Sequence, residues 1–104
     1  QTTAALLASG VRFKTLICCH DYTAVGAFRA VLAAGLRVPQ DVQIASVQRN
    51  AVDGLCPMKL TTMDISSQVM GTMAGELLLR RMNGYSGHPE IHYVSADLVV
   101  GDTA

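Results

Sequence analysis

The sequence predicts an α/β fold built on a parallel sheet. Two short, continuously apolar segments, residues 15–19 and 42–47, have the composition of strands that are buried on both faces. Residues 22–34 between them repeat apolar side chains at helical spacing. A helix that joins two such strands makes a right-handed crossover in nearly all proteins, so the strands should run parallel. Their carboxyl ends then meet at one edge of the sheet, where α/β proteins bind ligands.

The composition limits what the chain can do. A length of 104 residues allows one domain or less, and 50% hydrophobic residues against 15% charged ones is apolar for a small domain. We therefore expect part of the apolar surface to face a partner. The net charge is zero and the charged residues are scattered, so we expect this segment to bind neither DNA nor an anionic membrane. Apolar runs also stay shorter than the roughly 20 residues that span a bilayer.

Three cysteines, two of them adjacent in a predicted strand, argue against a disulfide framework. Free thiols favour a reducing, cytoplasmic compartment. The chain starts without Met and inside a helical pattern, so we expect a piece of a longer protein. The methionines near residue 70 lie on a helical apolar stripe and predict core packing. The sequence predicts neither a cofactor nor a metal site.

The elements follow in order. Residues 1–9 predict a helix that Gly10 ends, and residues 15–19 the first strand. Asp21 occupies the position of an N-cap for the helix 22–34, with a direct ligand contact as the alternative. Arg29 is the one charged residue of that helix, so its outer face should meet a second partner.

The second half of the chain is less regular. Residues 51–58 predict a loop, and residues 59–65 an extended segment. A helix over 67–83 ends with two arginines before Gly84. Residues 91–100 predict one or two strands.

Four stretches resemble one family. CHDYTAVGAFRAVLAAGLRVPQDVQIASV, KLTTMD, VMGTMAGELLLRRMNG and ADLVVGDT are similar to successive motifs in the effector-binding core of the LacI/GalR repressors, over residues 15–104. The resemblance implies a Rossmann-like, two-lobed core like that of periplasmic sugar-binding proteins. It also implies an effector between the lobes and a separate helix-turn-helix domain. Residues 1–104 would be the C-terminal third of that core.

The resemblance also implies how the chain divides. Residues 1–58 and 91–104 would belong to the C-terminal lobe, and residues 60–65 and 90–94 would be crossovers. The helix within residues 66–84 would belong with an N-terminal lobe that this sequence lacks, so part of its apolar stripe would have no partner here.

Four residues are predicted to contact the effector: His20, Asp21, Gln48 and Arg49. They follow the two predicted strands at the edge where ligands bind. The family commonly has an acidic acceptor where Gln48 and Arg49 stand, an Asn at His20 and an Arg at Gly101. Because donors have replaced acceptors, we expect a small-molecule effector that carries acceptors, such as an anionic or phosphorylated sugar.

A homodimer interface is predicted on the outer face of the helix 22–34 and the loop 51–58. Its residues are Val25, Arg29, Leu32, Leu55 and Cys56. Alternatively, the outer face packs on the first helix within one chain. DNA would be bound only through the domain outside this chain, and no membrane partner is expected.

The predicted function is the ligand-sensing and dimerisation portion of a DNA-binding repressor. The alternative is a fragment of a periplasmic solute-binding protein. An enzyme with a Cys19–His20 pair is disfavoured, because adjacent strand residues point to opposite faces.

Overall fold

The computed structural model describes residues 2–50, 52 and 54–104. Within these ranges the elements are, in chain order, α1 (Thr2–Ala8), β1 (Thr15–Cys18), α2 (Asp21–Ala33), β2 (Gln43–Ser46), β3 (Thr61–Asp64), α3 (Ser67–Met82) and β4 (Asp97–Val99). Gln1, at the start of the first predicted helix, lies outside the described residues, as do Ala51 and Asp53 in the predicted loop. The chain forms two compact units: the residues up to Asp64 with Leu98–Ala104, and Ile65–Asp97.

The sheet has the strand order β1-β2-β3-β4. β1 and β2 are parallel neighbours, with Thr15 opposite Gln43 and Cys18 opposite Ser46. β3 is parallel to β2, and Ala45 faces Thr61. The predicted α/β fold, with two parallel strands joined by a helix, is therefore confirmed. Both strands are one or two residues shorter than the apolar runs that predicted them.

The core of the first unit lies between α2 and the sheet. Ala24, Phe28 and Val31 recur at helical spacing on the inner face of α2 and are buried together with Ile44 of β2. Val25 is also part of this core, with 6% of its surface exposed. The prediction that Val25 lies on an exposed outer face of the helix is therefore wrong, because its side chain is buried in the same core cluster as Ala24.

α2 begins one residue earlier than predicted. His20 is the N-cap residue, with an extended backbone, and Asp21 is the first helical residue. The Thr23 hydroxyl forms two hydrogen bonds at this end of the helix. It accepts from the His20 N–H at 3.2 Å and donates to the His20 carbonyl at 2.6 Å. Asp21 is therefore not the N-cap. Its carboxylate instead bonds to other elements.

The last residues of the chain complete the first unit. Thr103 is fully buried. Its carbonyl accepts from the Ile44 N–H at 2.7 Å, and its hydroxyl donates to the Ile44 carbonyl at 2.7 Å. The same hydroxyl oxygen accepts from the Thr61 N–H at 3.0 Å. The C-terminus therefore joins β2 to β3.

The second unit consists of α3 and an irregular connector. α3 ends at Met82, one residue before the predicted end, and none of its described side chains is buried. The Arg80 guanidinium lies 4.4 Å from the centre of the Tyr85 ring and forms an ion pair with Glu90 at 3.2 Å. Strands were predicted over residues 91–100, and only Asp97–Val99 form one. No helix in the described part of the chain has the length and apolarity to cross a membrane.

Candidate functional site

The carboxyl ends of the three parallel strands meet at one edge of the sheet, as the topology requires. Backbone hydrogen bonds hold them together there. The Val47 N–H donates to the Cys18 carbonyl at 3.0 Å, and the Asp21 N–H donates to the Gln48 carbonyl at 3.2 Å. The Arg49 N–H donates to the Met63 carbonyl at 2.9 Å. The expected meeting of the segments after β1 and β2 is therefore observed, and the end of β3 joins them.

Asp21 connects all three strand ends. Its carboxylate is buried, with 2% of the residue exposed, and one oxygen accepts from the hydroxyls of Ser46 and Thr62, the latter at 2.8 Å. The other oxygen accepts from the Asn50 N–H at 3.0 Å. Its place in the first turn of α2 adds the favourable field of the helix N-terminus. Asp21 therefore fixes the geometry of the edge, and both of its oxygens already have donors.

Hydrogen bonds of Asn50 stabilise the turn after β2. The Asn50 side-chain amide donates to the Gln48 carbonyl at 3.1 Å, in addition to the bond between the Asn50 N–H and Asp21. These contacts fix the backbone on both sides of Arg49. The side chains of His20 and Arg49 are exposed, and Gln48 is half-buried.

Arg49 forms an ion pair that the sequence analysis missed. Its guanidinium lies 3.0 Å from a carboxylate oxygen of Asp64, the last residue of β3, and the two side chains are 53% and 39% exposed. Exposed pairs of this kind contribute about 0.2–1 kcal/mol. The prediction gave Arg49 no acidic partner, whereas Asp64 places a carboxylate beside it. An acidic residue at the end of a neighbouring strand was the signal that could have identified it.

A cleft of about 350 Å³ lies beside this edge. Its volume is within the range of about 300–1,000 Å³ that is typical of small-molecule sites. Asp21 and Arg49 line it, whereas His20 and Gln48 do not. The other polar lining side chains are Asn50, Lys59 and Thr62. Two of the four predicted effector residues therefore share a cavity.

The cysteines near the site are free thiols. Burial raises the pKa of Cys18, the neighbouring Cys19 raises it further, and a hydrogen bond with Thr23 partly offsets the rise. A raised pKa leaves little thiolate at neutral pH, so Cys18 is not an activated nucleophile. The described residues also contain no group of three side chains placed to hold a metal ion.

The outer face of α2 and the loop beside it form one surface. The Arg29 guanidinium donates to the Leu55 carbonyl at 3.3 Å, which joins the helix to the loop. Leu32 is 47% exposed and Leu55 is 44% exposed, whereas Cys56 packs partly against the core. Tyr22 is also exposed and was missed by the sequence analysis. α1 packs on α2 as well, and the groove between them is lined by Ala4, Leu7, Ala8, Ala30, Ala33 and Ala34.

Comparison with known proteins identifies the family. The model of a periplasmic binding protein-like domain matches residues 3–104. The chain is 34% identical over 90 residues to the lactose operon repressor of Rhizobium radiobacter, covering 85% of this chain and 80% of that relative. The chain belongs to the LacI/GalR family. Two further LacI-type relatives are considerably longer than this chain.

The ribose operon repressor of Haemophilus influenzae is 33% identical over 78 residues, which cover 75% of this LacI-type chain and 24% of the relative. A LacI-type transcription regulator from Bifidobacterium animalis subsp. lactis superimposes with a TM-score of 0.88 at 29% identity, covering 97% of this chain and 36% of that structure. The chain thus spans about a quarter of the ribose repressor and just over a third of the solved regulator. These relatives are transcription regulators.

Proposed function

We propose that this LacI-type chain is the effector-sensing and dimerisation portion of a transcriptional repressor, and that it has no catalytic role. The observation that carries the proposal is the network of Asp21, which fixes three strand ends around an edge with exposed polar side chains. The lactose and ribose operon repressors among its relatives support a sugar or a sugar derivative as the effector. DNA is contacted through a domain outside this chain, and the free thiols fit a cytoplasmic protein.

The side chains at this edge have different roles in the proposal. His20, Gln48 and Arg49 donate hydrogen bonds to the effector, and Asp21 holds their backbone in place. A guanidinium binds phosphate or carboxylate groups through paired, charge-assisted hydrogen bonds. Of these three donors, Arg49 lines the cleft beside the edge, together with the cationic side chain of Lys59. We therefore favour an effector with an anionic group, such as a phosphorylated sugar.

The division into lobes is part of the same proposal. Residues 1–58 and 91–104 form the C-terminal lobe, and the helix within residues 66–84 packs on an N-terminal lobe outside this chain. The exposed apolar residues of α3, among them Leu78, Leu79 and Met82, support such a partner. A homodimer forms through the outer face of α2 and the loop 54–58, with Arg29, Leu32, Leu55 and Cys56 in the contact.

Calorimetric titration of the complete protein tests the effector site. Lactose, ribose and a phosphate ester of each are titrated into the wild type, Gln48→Ala, Arg49→Ala and the control Arg12→Ala. Arg12 is also exposed but precedes β1, at the opposite end of that strand. A lost hydrogen bond to a charged group costs about 1.5–3 kcal/mol, so Arg49→Ala should weaken binding of the phosphorylated ligand about 10- to 100-fold.

Gln48→Ala should weaken binding of neutral and phosphorylated ligands alike, and Arg12→Ala should bind as the wild type does. If Gln48→Ala and Arg49→Ala both retain wild-type affinity for the ligand that binds, the assigned site is wrong. If no sugar binds the folded wild-type protein, the proposed effector class is wrong.

A further inference from the structure

We infer that Asp64 is a specificity-determining residue: it occupies the guanidinium of Arg49 in the effector-free protein, and only an anionic group of the effector displaces it. The inference rests on the proposed function, since it concerns the regulation of the same site. It adds Asp64 to the site and gives that residue control over the preference for charged over neutral ligands.

The geometry of the pair permits exchange. A single Nη1–Oδ2 contact of 3.0 Å joins Arg49 to Asp64. A guanidinium has five N–H donors, so most of those on Arg49 remain available to a second acceptor. Both side chains are about half exposed, so water and salt screen their attraction. Asp64 is therefore a weak competitor that a stronger anion can replace.

The backbone of Arg49 stays fixed while its side chain changes partner. The Arg49 N–H donates to the Met63 carbonyl at 2.9 Å, and the neighbouring Asn50 N–H donates to Asp21 at 3.0 Å. Rotation about the side-chain bonds of Arg49 breaks none of these contacts. The exchange therefore requires no rearrangement of the turn that carries Gln48.

The cleft gives the displaced guanidinium a place to bind an anion. Its charged lining residues, among those that the structure describes, are Arg49, Lys59 and Asp21. The Asp21 carboxylate already accepts from three protein donors, whereas Asp64 is not part of the lining. An anion in the cleft therefore meets two cationic side chains, and it competes with Asp64 for the guanidinium of Arg49.

The outcome of this competition depends on the charge of the ligand. A phosphate dianion attracts the guanidinium more strongly than the single negative charge of Asp64 does, so it can take the place of that carboxylate. A neutral sugar offers no such attraction and leaves the ion pair intact. Asp64 thus lowers the affinity for anions and leaves the affinity for neutral sugars unchanged, so it limits the preference of the site for charged ligands.

Inorganic phosphate is the probe that tests this inference on the complete protein. Its dissociation constant is measured by calorimetry for the wild type, Asp64→Asn, Arg49→Gln and the control Glu76→Gln. The control also removes one negative charge, from an exposed position on α3. Asp64→Asn should bind phosphate about three- to fivefold more tightly, as expected for the loss of an exposed ion pair. Arg49→Gln should weaken phosphate binding at least about tenfold, and Glu76→Gln should match the wild type.

The inference is overturned if Asp64→Asn binds phosphate as weakly as the wild type, or if neither binds it. It is also overturned if Glu76→Gln gives the same gain, since the effect would then be one of net charge. Lactose and ribose provide the separate readout: their affinities should be equal in Asp64→Asn and the wild type. A loss of neutral-sugar binding in Asp64→Asn would make Asp64 a direct sugar acceptor and refute the competition. Failure of both sugars to bind, with the phosphate pattern intact, counts against the proposed function alone.

Discussion

A buried carboxylate is stable only where donors and local dipoles compensate its charge. Asp21 has both, because two hydroxyls and one backbone N–H reach it and it lies in the first turn of α2. The three donors come from β2, the following turn and β3. The side chain therefore converts the parallel pairing of separate strands into a single rigid edge.

Replacing Asp21 by Asn tests whether this one carboxylate holds the strand ends together. The amide keeps the shape but loses the charge, and its NH₂ group would face a hydroxyl or N–H that also donates. We expect the free energy of unfolding to fall by about 2–4 kcal/mol, since hydrogen bonds to a charged group contribute about 1.5–3 kcal/mol each. Urea unfolding of the complete protein, followed by circular dichroism, measures the change.

Glu76→Gln, on the exposed surface of α3, is the matched control and should alter stability by less than about 0.5 kcal/mol. A similarly small change for Asp21→Asn would mean that the carboxylate does not hold the strand ends together.

At the scale of elements, the local sequence pattern was sufficient to predict a helix or strand whose own residues determine its structure. The apolar runs predicted β1 and β2, and the helical spacing predicted α2 to within one residue at each end. The start of α2 was misplaced because Asp21 has donors more than 20 positions away in sequence, which a capping rule does not include. Residues 91–96 include Ile91, Tyr93 and Val94, residue types that favour strands, yet they form a connector.

The candidate site was harder to predict than the fold. His20 and Gln48 follow their strands as the sequence indicated, but the partner of Arg49 depends on the position of β3. Spacing along the chain does not show that the end of β3 lies beside the turn after β2. Val25 illustrates the same difficulty, because an apolar residue on a mostly apolar helix gives no local sign of which face is outside.

Gly101 supports a prediction about the packing between the segment after β4 and the segment before β3. A Cβ at this position would lie 2.3 Å from the Lys59 carbonyl oxygen and 2.6 Å from the Leu60 carbonyl carbon. Backbone atoms cannot move aside as a flexible side chain can, so Gly101→Ala should cost about 1–3 kcal/mol of unfolding free energy. The family resemblance places an arginine here, and this chain's close approach leaves no room for one.

Gly75→Ala is the control for this prediction. Gly75 lies within α3, and nothing is within 4 Å of the site that its Cβ would occupy. Alanine there should stabilise the helix by up to about 1 kcal/mol. The two substitutions are compared by urea unfolding of the complete protein. Equal effects, or stabilisation by Gly101→Ala, would contradict the role of close backbone approach.

At the scale of the whole molecule, two of the surfaces with exposed apolar residues have a proposed partner. One is α3, whose described side chains are all at least partly exposed. The other is the surface that α2 forms with the loop around Leu55. Exposed apolar area of this extent is typical of surfaces that bind a partner. We expect an N-terminal lobe to cover the apolar surface of α3, and a second copy of the chain to cover the surface that α2 forms with the loop.

We expect Leu32→Glu and Leu55→Glu to convert a homodimer of the complete protein into folded monomers. Both residues flank Arg29, whose contact with the Leu55 carbonyl makes helix and loop one continuous surface. A stable interface buries about 1,600 Å² in total, and an unpaired carboxylate buried within it costs about 3–5 kcal/mol. Dimer affinity should therefore fall by at least about 100-fold. Sedimentation velocity at micromolar concentration measures the oligomeric state.

The control for these two substitutions must be a residue that is exposed within the chain. Val25→Glu is unsuitable, because Val25 lies in the core and a charge there would unfold the chain instead of separating two copies. Val11→Glu is matched in chemistry: Val11 is also an exposed apolar residue, but it lies in the connector between α1 and β1. It should remain dimeric. A wild-type protein that sediments as a monomer, or Leu32→Glu and Leu55→Glu variants that dimerise as tightly as Val11→Glu, would show that this surface does not pair.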